Sequence, residues 1–166
     1  IHSAHFTHAR FDGEARFDKV QFGADADFEH TRFDGQAWLR KAAFHGHAKF
    51  NGSRFGGNAG FSGARFGGHA EFDQAHFRGQ AWFNNTDFGR IALFAAAKFG
   101  DNAGFGSTQF GWHSEFAGAR VRTDVSTDVQ RVWPAGLSVV VPATSDEAHL
   151  EGEDGEWGRL AGAGQD

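Results

Sequence analysis

Cationic side chains recur in this chain at a fixed interval: Arg10, Arg32, Arg54, His76, Lys98 and Arg120, with Arg78 and Arg122 two places beyond the fourth and sixth. Guanidinium and ammonium groups aligned on one face could hold an anion, whether a nucleic acid or the carboxylates of an acidic protein. The same row also reads as a solvated ladder, partly neutralised by Asp12 and Asp34, whose long side chains cover a sheet. Like charges one strand spacing apart repel mildly, which adds weight to a binding role. Trp38 and Trp82 alternate with Gly60 and Gly104 on a second row of the same period. Exposed indoles over small residues would form an apolar contact patch. Indoles lying flat on the neighbouring glycines would be structural. Arg10, Arg32, Arg54, Arg78, Lys98, Arg120, Trp38 and Trp82 are therefore the candidate binding surface.

Three further rows carry chemistry. Asp25, His47, His69, Ile91 and His113 put imidazoles and a carboxylate in line, a set that could hold Zn²⁺ or Cu²⁺. Ligands stacked on one line meet at a poor angle, however, and a chain with 10 His presents such pairs by chance. Glu14, Gln36, Asn58, Gln80 and Asn102 read as a register-holding ladder of stacked amides. Asp27, Glu29, Glu71, Asp73 and Glu115, against Lys49 alone, make one acidic face. No nucleophilic constellation is present: there is no Cys, and no Gly-rich phosphate loop joins a strand to a helix. Outward Thr residues are too sparse for an ice-binding array. The expectation is a protein without catalytic residues, bound metal or cofactor.

What must position these rows is written in the phenylalanines. All 20 fall between Phe6 and Phe116 at alternating steps of five and six, with Leu39 filling one gap and Val121 extending the series. Two places before each of these positions stands a compact side chain: Ala in most cases, otherwise Val20, Thr31, Ser53, Thr86, Thr108 or Ser114. Units this short bury nothing alone, so the period signals a solenoid.

The local unit, as in Ala64-Arg65-Phe66-Gly67-Gly68, resembles the pentapeptide-repeat family, with a small residue at i−2, Phe or Leu at the centre and frequent Gly at i+2. The resemblance covers positions 4 to about 121. It implies an all-β, right-handed quadrilateral β-helix, four units to the coil, in which i and i−2 point inward and i−1, i+1 and i+2 outward. Here every second unit carries an extra residue, which lengthens the coil to about 22 residues and should bulge two of the four corners. A coil of half that length is the alternative, but rows half a period out of phase differ in chemistry: Gln21, Ala43, Arg65, Asp87 and Gln109 match no cationic row. At about 4.8 Å per coil, five and a half coils make a rod roughly 25 Å long.

The pattern stops after Val121. Positions 122–131 read as a linker or last partial coil, and Leu137 to Val141 as a strand ended by Pro142. An acidic loop follows, from Asp146 to Glu156. Positions 132–160 are expected to cap the open coil through Trp133, Val139, Val141, Trp157 and Leu160, with 161–166 frayed. Residues 1–121 hold 13 Lys and Arg against 12 Asp and Glu, and residues 122–166 hold 3 against 9. A near-neutral body with an acidic tail argues against a nucleic-acid binder.

No apolar stretch is long enough to suggest a membrane-spanning helix. The absence of Met, even at position 1, leads to the expectation of a fragment or processed form, and localisation stays open. The reading that follows is a non-enzymatic scaffold or protein-binding solenoid whose protein partner is unknown. The alternative, implied by the resemblance, is a DNA-mimicking rod that binds a type II topoisomerase such as gyrase, which calls for a strongly negative body. A metal-binding or enzymatic accessory domain is a third reading. The acidic loop would repel its own copy across a two-fold axis, so a monomer or weak homodimer is expected.

Overall fold

The computed structural model describes residues 3–125, 131–144 and 148–162. Twenty-two short strands, β1 (Ala4–His5) to β22 (Arg120–Arg122), stack in four parallel sheets. Each strand pairs with the one a full coil away, as in Arg10↔Arg32, Arg54↔His76 and Ala59↔Ala81. The chain is thus an all-β solenoid of about five coils, and the half-length coil is excluded. Among the described residues no helix is long and apolar enough to cross a membrane.

Phenylalanine stacking explains the register. Rings on successive coils of one column lie nearly parallel with centroids close to one strand spacing, for example 4.7 Å for Phe44 and Phe66 and 4.8 Å for Phe61 and Phe83. Rings from different faces meet edge-on, as Phe50 does with Phe61 at 5.4 Å. Both arrangements suit the ring quadrupole. Phe6, Phe11, Phe17 and Phe110 were expected to be buried like the rest but are only partly so. They belong to the end coils, where one side of the stack carries no further repeat. Burial of the hydroxyl side chains that replace Ala is offset by hydrogen bonds. Thr31, Ser53, Thr86 and Thr108 each donate a hydroxyl to a Phe carbonyl one coil below, at 2.6–3.0 Å.

The corners are of two kinds. After the steps of five, the i+3 amide donates to the central Phe carbonyl, as Ala9 does to Phe6 at 2.8 Å. The residue at i+2 there has positive φ, the mark of a type II turn. Gly fills it at Gly52, Gly63 and Gly118. Elsewhere His8, Lys19, His30, Lys41, Gln74, Asn85, Ala96 and Ser107 adopt φ of 54–60°. The steps of six make the other two corners, where backbone packs on backbone. A Cβ on Gly57 would sit 2.8 Å from the Gly35 carbonyl carbon. Corner amides not used in turns find side chains one coil below: Arg40 N–H donates to Asp18, Gln80 to Asn58 and Ala95 to Asp73, at 2.7–3.0 Å.

After Val121 the chain returns as β23 (Leu137–Val140) and β24 (Trp157–Gly162). β24 lies antiparallel on β22 and β23 on β24, extending the sheet that carries the cationic row. Trp133 covers the core end, with its ring 5.5 Å from Phe99 and 6.0 Å from Phe105. Leu160 is buried with the core cluster and Val139 packs against it. Three expectations need correction. Trp157, expected to cover the open coil, lies on the outer face of the cationic sheet beside His76. Val141 lies past the strand and is 57% exposed, so it covers nothing. β24 runs on to Gly162, beyond the expected end of the cap at position 160, because Leu137 pairs with Gly162. The rest of the expected frayed tail and positions 126–130 and 145–147 lie outside the described residues.

Candidate functional site: the basic face

The sheet built on Phe11, Phe33, Phe55, Phe77, Phe99 and Val121 presents its i−1 side chains outward, which aligns Arg10, Arg32, Arg54, His76, Lys98 and Arg120 as neighbouring rungs. Arg78 follows Phe77 on the same face. The strands, very short through most of the sheet, fix each Cα; the side chains then differ in what they meet.

At the first two coils the charge is neutralised. Arg10 pairs with Asp12 at 2.6 Å and with Asp34 at 2.8 Å, and Arg32 also bonds Asp34. The Arg32 hydrogen bond, helped by the charge of Arg10, holds the Asp34 carboxyl below its ordinary range. At the far coils Lys98 Nζ donates to Glu153 at 2.9 Å. Burial acts to raise the Glu153 carboxyl, but the Lys98 bond and the surrounding cations outweigh it and hold it low. His76 lies 3.6 Å from the same carboxylate. Desolvation pushes its imidazole below its ordinary value against the pull of Glu153, and Lys98 makes the shorter contact with that carboxylate. Between these ends, Arg54 and Arg78 are exposed and have no ion-pair partner among the described residues. They line a shallow groove with Arg32, Asp34 and Gly56. Arg120, half-buried, faces Arg159 across the β22–β24 pair.

The structure does not bring the two tryptophans onto this face. Trp38 and Trp82 stand on the next sheet and pair in register with Gly60. Both are half-buried. A Cβ on Gly60 would lie 2.5 Å from Trp38 Cε3, and one on Gly104 2.8 Å from Trp82 Cε3. The indoles therefore lie flat over the glycines of the adjoining coil. Arg40 stacks on Trp38 at 4.9 Å while holding Asp18 at 2.8 Å. The exposed indole is Trp112, at 71%, with Arg90 5.1 Å above it. Trp112 stands past a Phe-Gly corner, outside the i−1 row from which an exposed Trp was sought.

The histidine column closes on itself. His69 N–H donates to His47 Nδ1 at 3.2 Å, and His47 N–H donates to Asp25 at 2.8 Å. Among the described residues no group of three or more His, Cys, Asp or Glu is placed to hold a metal ion. Sequence reasoning missed Glu153 as a member of the basic face. Lys98 and Glu153 are far apart in the chain, and the only available signal was the sign of the tail's charge.

Four parallel faces, a packed aromatic interior and coils of one constant length define a β-solenoid. The model for pentapeptide repeats (9 copies) matches residues 6–54, 28–76 and 50–97, windows that together span more than half of the chain. The protein belongs to the pentapeptide-repeat family. No curated protein and no solved structure matches the chain.

Proposed function

We propose that this protein is a non-enzymatic scaffold that binds a protein partner through the basic face. The observation that carries the reading is the pair Arg54 and Arg78, exposed and unpartnered among the described residues, midway along a row whose other charges are largely satisfied from within the chain. A filled core supports it too, because the Phe and Ala columns are buried throughout the middle coils and leave the outer faces to carry recognition.

The test is a comparison of partners captured in cells by proximity labelling with the wild-type chain and with Arg54→Glu/Arg78→Glu. A partner enriched by the wild type, lost with the charge reversal and binding the purified wild-type protein supports the reading. A partner retained by the reversed variant and lost on Trp112→Ala would move the contact surface to the exposed indole. On the topoisomerase alternative the purified chain inhibits gyrase supercoiling. The near-neutral repeat body and its exposed arginines lead us to expect no inhibition.

A further inference from the structure

Residues 148–156 do not stand away from the solenoid. Glu153 N–H donates to Leu150 C=O at 3.0 Å, and Trp157 Nε1 donates to Asp154 C=O at 3.1 Å, so the segment is a clipped turn. Trp157 pairs with Arg122 in register and is buried; its ring meets His76 edge-on at 6.5 Å. It thus lies on the outer face of the basic sheet rather than over the end of the core. This seat delivers the Glu153 carboxylate to Lys98. A groove then continues from Glu153 past His76 and Arg78 to Arg54, and onward to Arg32.

We infer that this groove recognises the carboxylates of an extended acidic peptide segment, and that Glu153 is an internal occupant competing for its cationic end. The inference rests on the basic face being the contact surface, and it adds the partner's chemistry and a regulator. Three observations carry it. The chain's own carboxylate already binds the row in a charge-assisted hydrogen bond, the stronger kind. Two guanidiniums, one and two coils back from Lys98, stand ready for further carboxylates. From Arg54 to Lys98 is two coils, about 10 Å at sheet spacing and so about three residues of extended chain. The face also disfavours a nucleic acid. Asp12 and Asp34 border the row at one end, and Glu71 and Asp73 stand on or beside the adjoining sheet, where a continuous phosphate backbone would meet them. Discrete carboxylates on a short peptide would not.

The test is fluorescence anisotropy with a labelled oligoglutamate peptide, and with a labelled oligothymidylate as comparison, on the full chain. Arg54→Gln/Arg78→Gln should weaken peptide binding by about ten-fold or more, the scale of lost charge-assisted bonds. Glu153→Gln should tighten it by about three- to ten-fold, by freeing the occupied end. In the wild type, titration with the peptide should shift the Trp157 indole N–H resonance as the turn is displaced. Unfolding midpoints of all variants and the charge-retaining Arg54→Lys/Arg78→Lys protein show whether a loss reflects folding. If the arginine variant loses binding while Glu153→Gln binds as the wild type does, internal competition is overturned and the contact surface stands. If peptide binding ignores Arg54 and Arg78, both the inference and the reading beneath it fall. Tighter binding of oligothymidylate than of oligoglutamate overturns the acidic-peptide assignment.

Discussion

Replacing Phe61 by Ala removes one ring from the middle of the rod. Phe61 is fully buried. It stacks on Phe83 at 4.8 Å, meets Phe50, Phe72 and Phe55 edge-on at 5.4, 5.3 and 6.0 Å, and touches Phe66 at 6.4 Å. Transfer of the side chain alone accounts for about 1.5–3 kcal/mol. The cavity adds to this, because the surrounding rings are pinned by ladders above and below and can collapse little, so the total should lie near the upper part of roughly 3–5 kcal/mol. Phe110 provides the internal comparison. It is half-buried and contacts only Phe88, Phe105 and Phe116 among the described rings, at 5.2, 6.5 and 6.2 Å. Phe110→Ala should cost about 1–2 kcal/mol, less than full burial predicts. Phe61→Leu should stay within about 1.5 kcal/mol, since Leu39 already occupies this column one coil earlier. Urea unfolding followed by far-UV circular dichroism measures all three. A Phe61→Ala cost no larger than that of Phe110→Ala would refute the view that stacked rings between two filled coils hold the register.

Gly60→Ala should destabilise by about 1–3 kcal/mol through overpacking, since its Cβ would meet Trp38; adding Trp38→Ala should restore part of the loss in the same unfolding assay. Ala96→Gly should stabilise by about 0.5–1 kcal/mol, since relief of a left-handed conformation worth roughly 1–2 kcal/mol exceeds the entropy cost of about 0.5–1 kcal/mol; Ala96 has φ 54°, and a lower melting temperature would contradict this. Stability should fall on acidification. The folded His76 pKa lies below the ordinary 6.5, so its neutral-state contribution is present above 6.5 and lost as the unfolded chain takes up the proton below it. Glu153, also lowered, loses its contribution at lower pH still, in the same direction. Across about pH 5–7 the wild type should lose melting temperature toward acid relative to His76→Gln, which has no titrating group there; an unchanged difference would exonerate His76.

Much of this fold could be read from the sequence because a solenoid repeats one local decision. The Phe and Ala positions set which side chains face inward, and the difference between the Arg10 and Gln21 rows set the length of the coil. What could not be read depends on geometry that composition does not carry. The extra residue pointed to two distorted corners, yet the left-handed residues sit at the other two, where the steps of five close in type II turns. His8 and Lys19 give no warning of this, since neither is a residue that such a turn selects. Whether Trp38 stands out as a surface group or lies flat on a glycine is decided only by the space that Gly60 leaves for it. The placement of Glu153 was the least legible of all.

Charge counts alone suggested a neutral rod with a repelling acidic tail. Sheet extension decides otherwise. With β24 paired on β22, the turn before it lies on the outer face of that same sheet, the face lined by cations. Trp157 and Leu160 take opposite sides of β24, so Leu160 enters the core while Trp157 stays outside beside His76. The strand that extends the basic sheet past β22 therefore also brings an acid to its basic row. Burial of Leu160 and the Lys98–Glu153 contact both follow from one pairing, and a variant that weakens the β22–β24 pair should loosen both together.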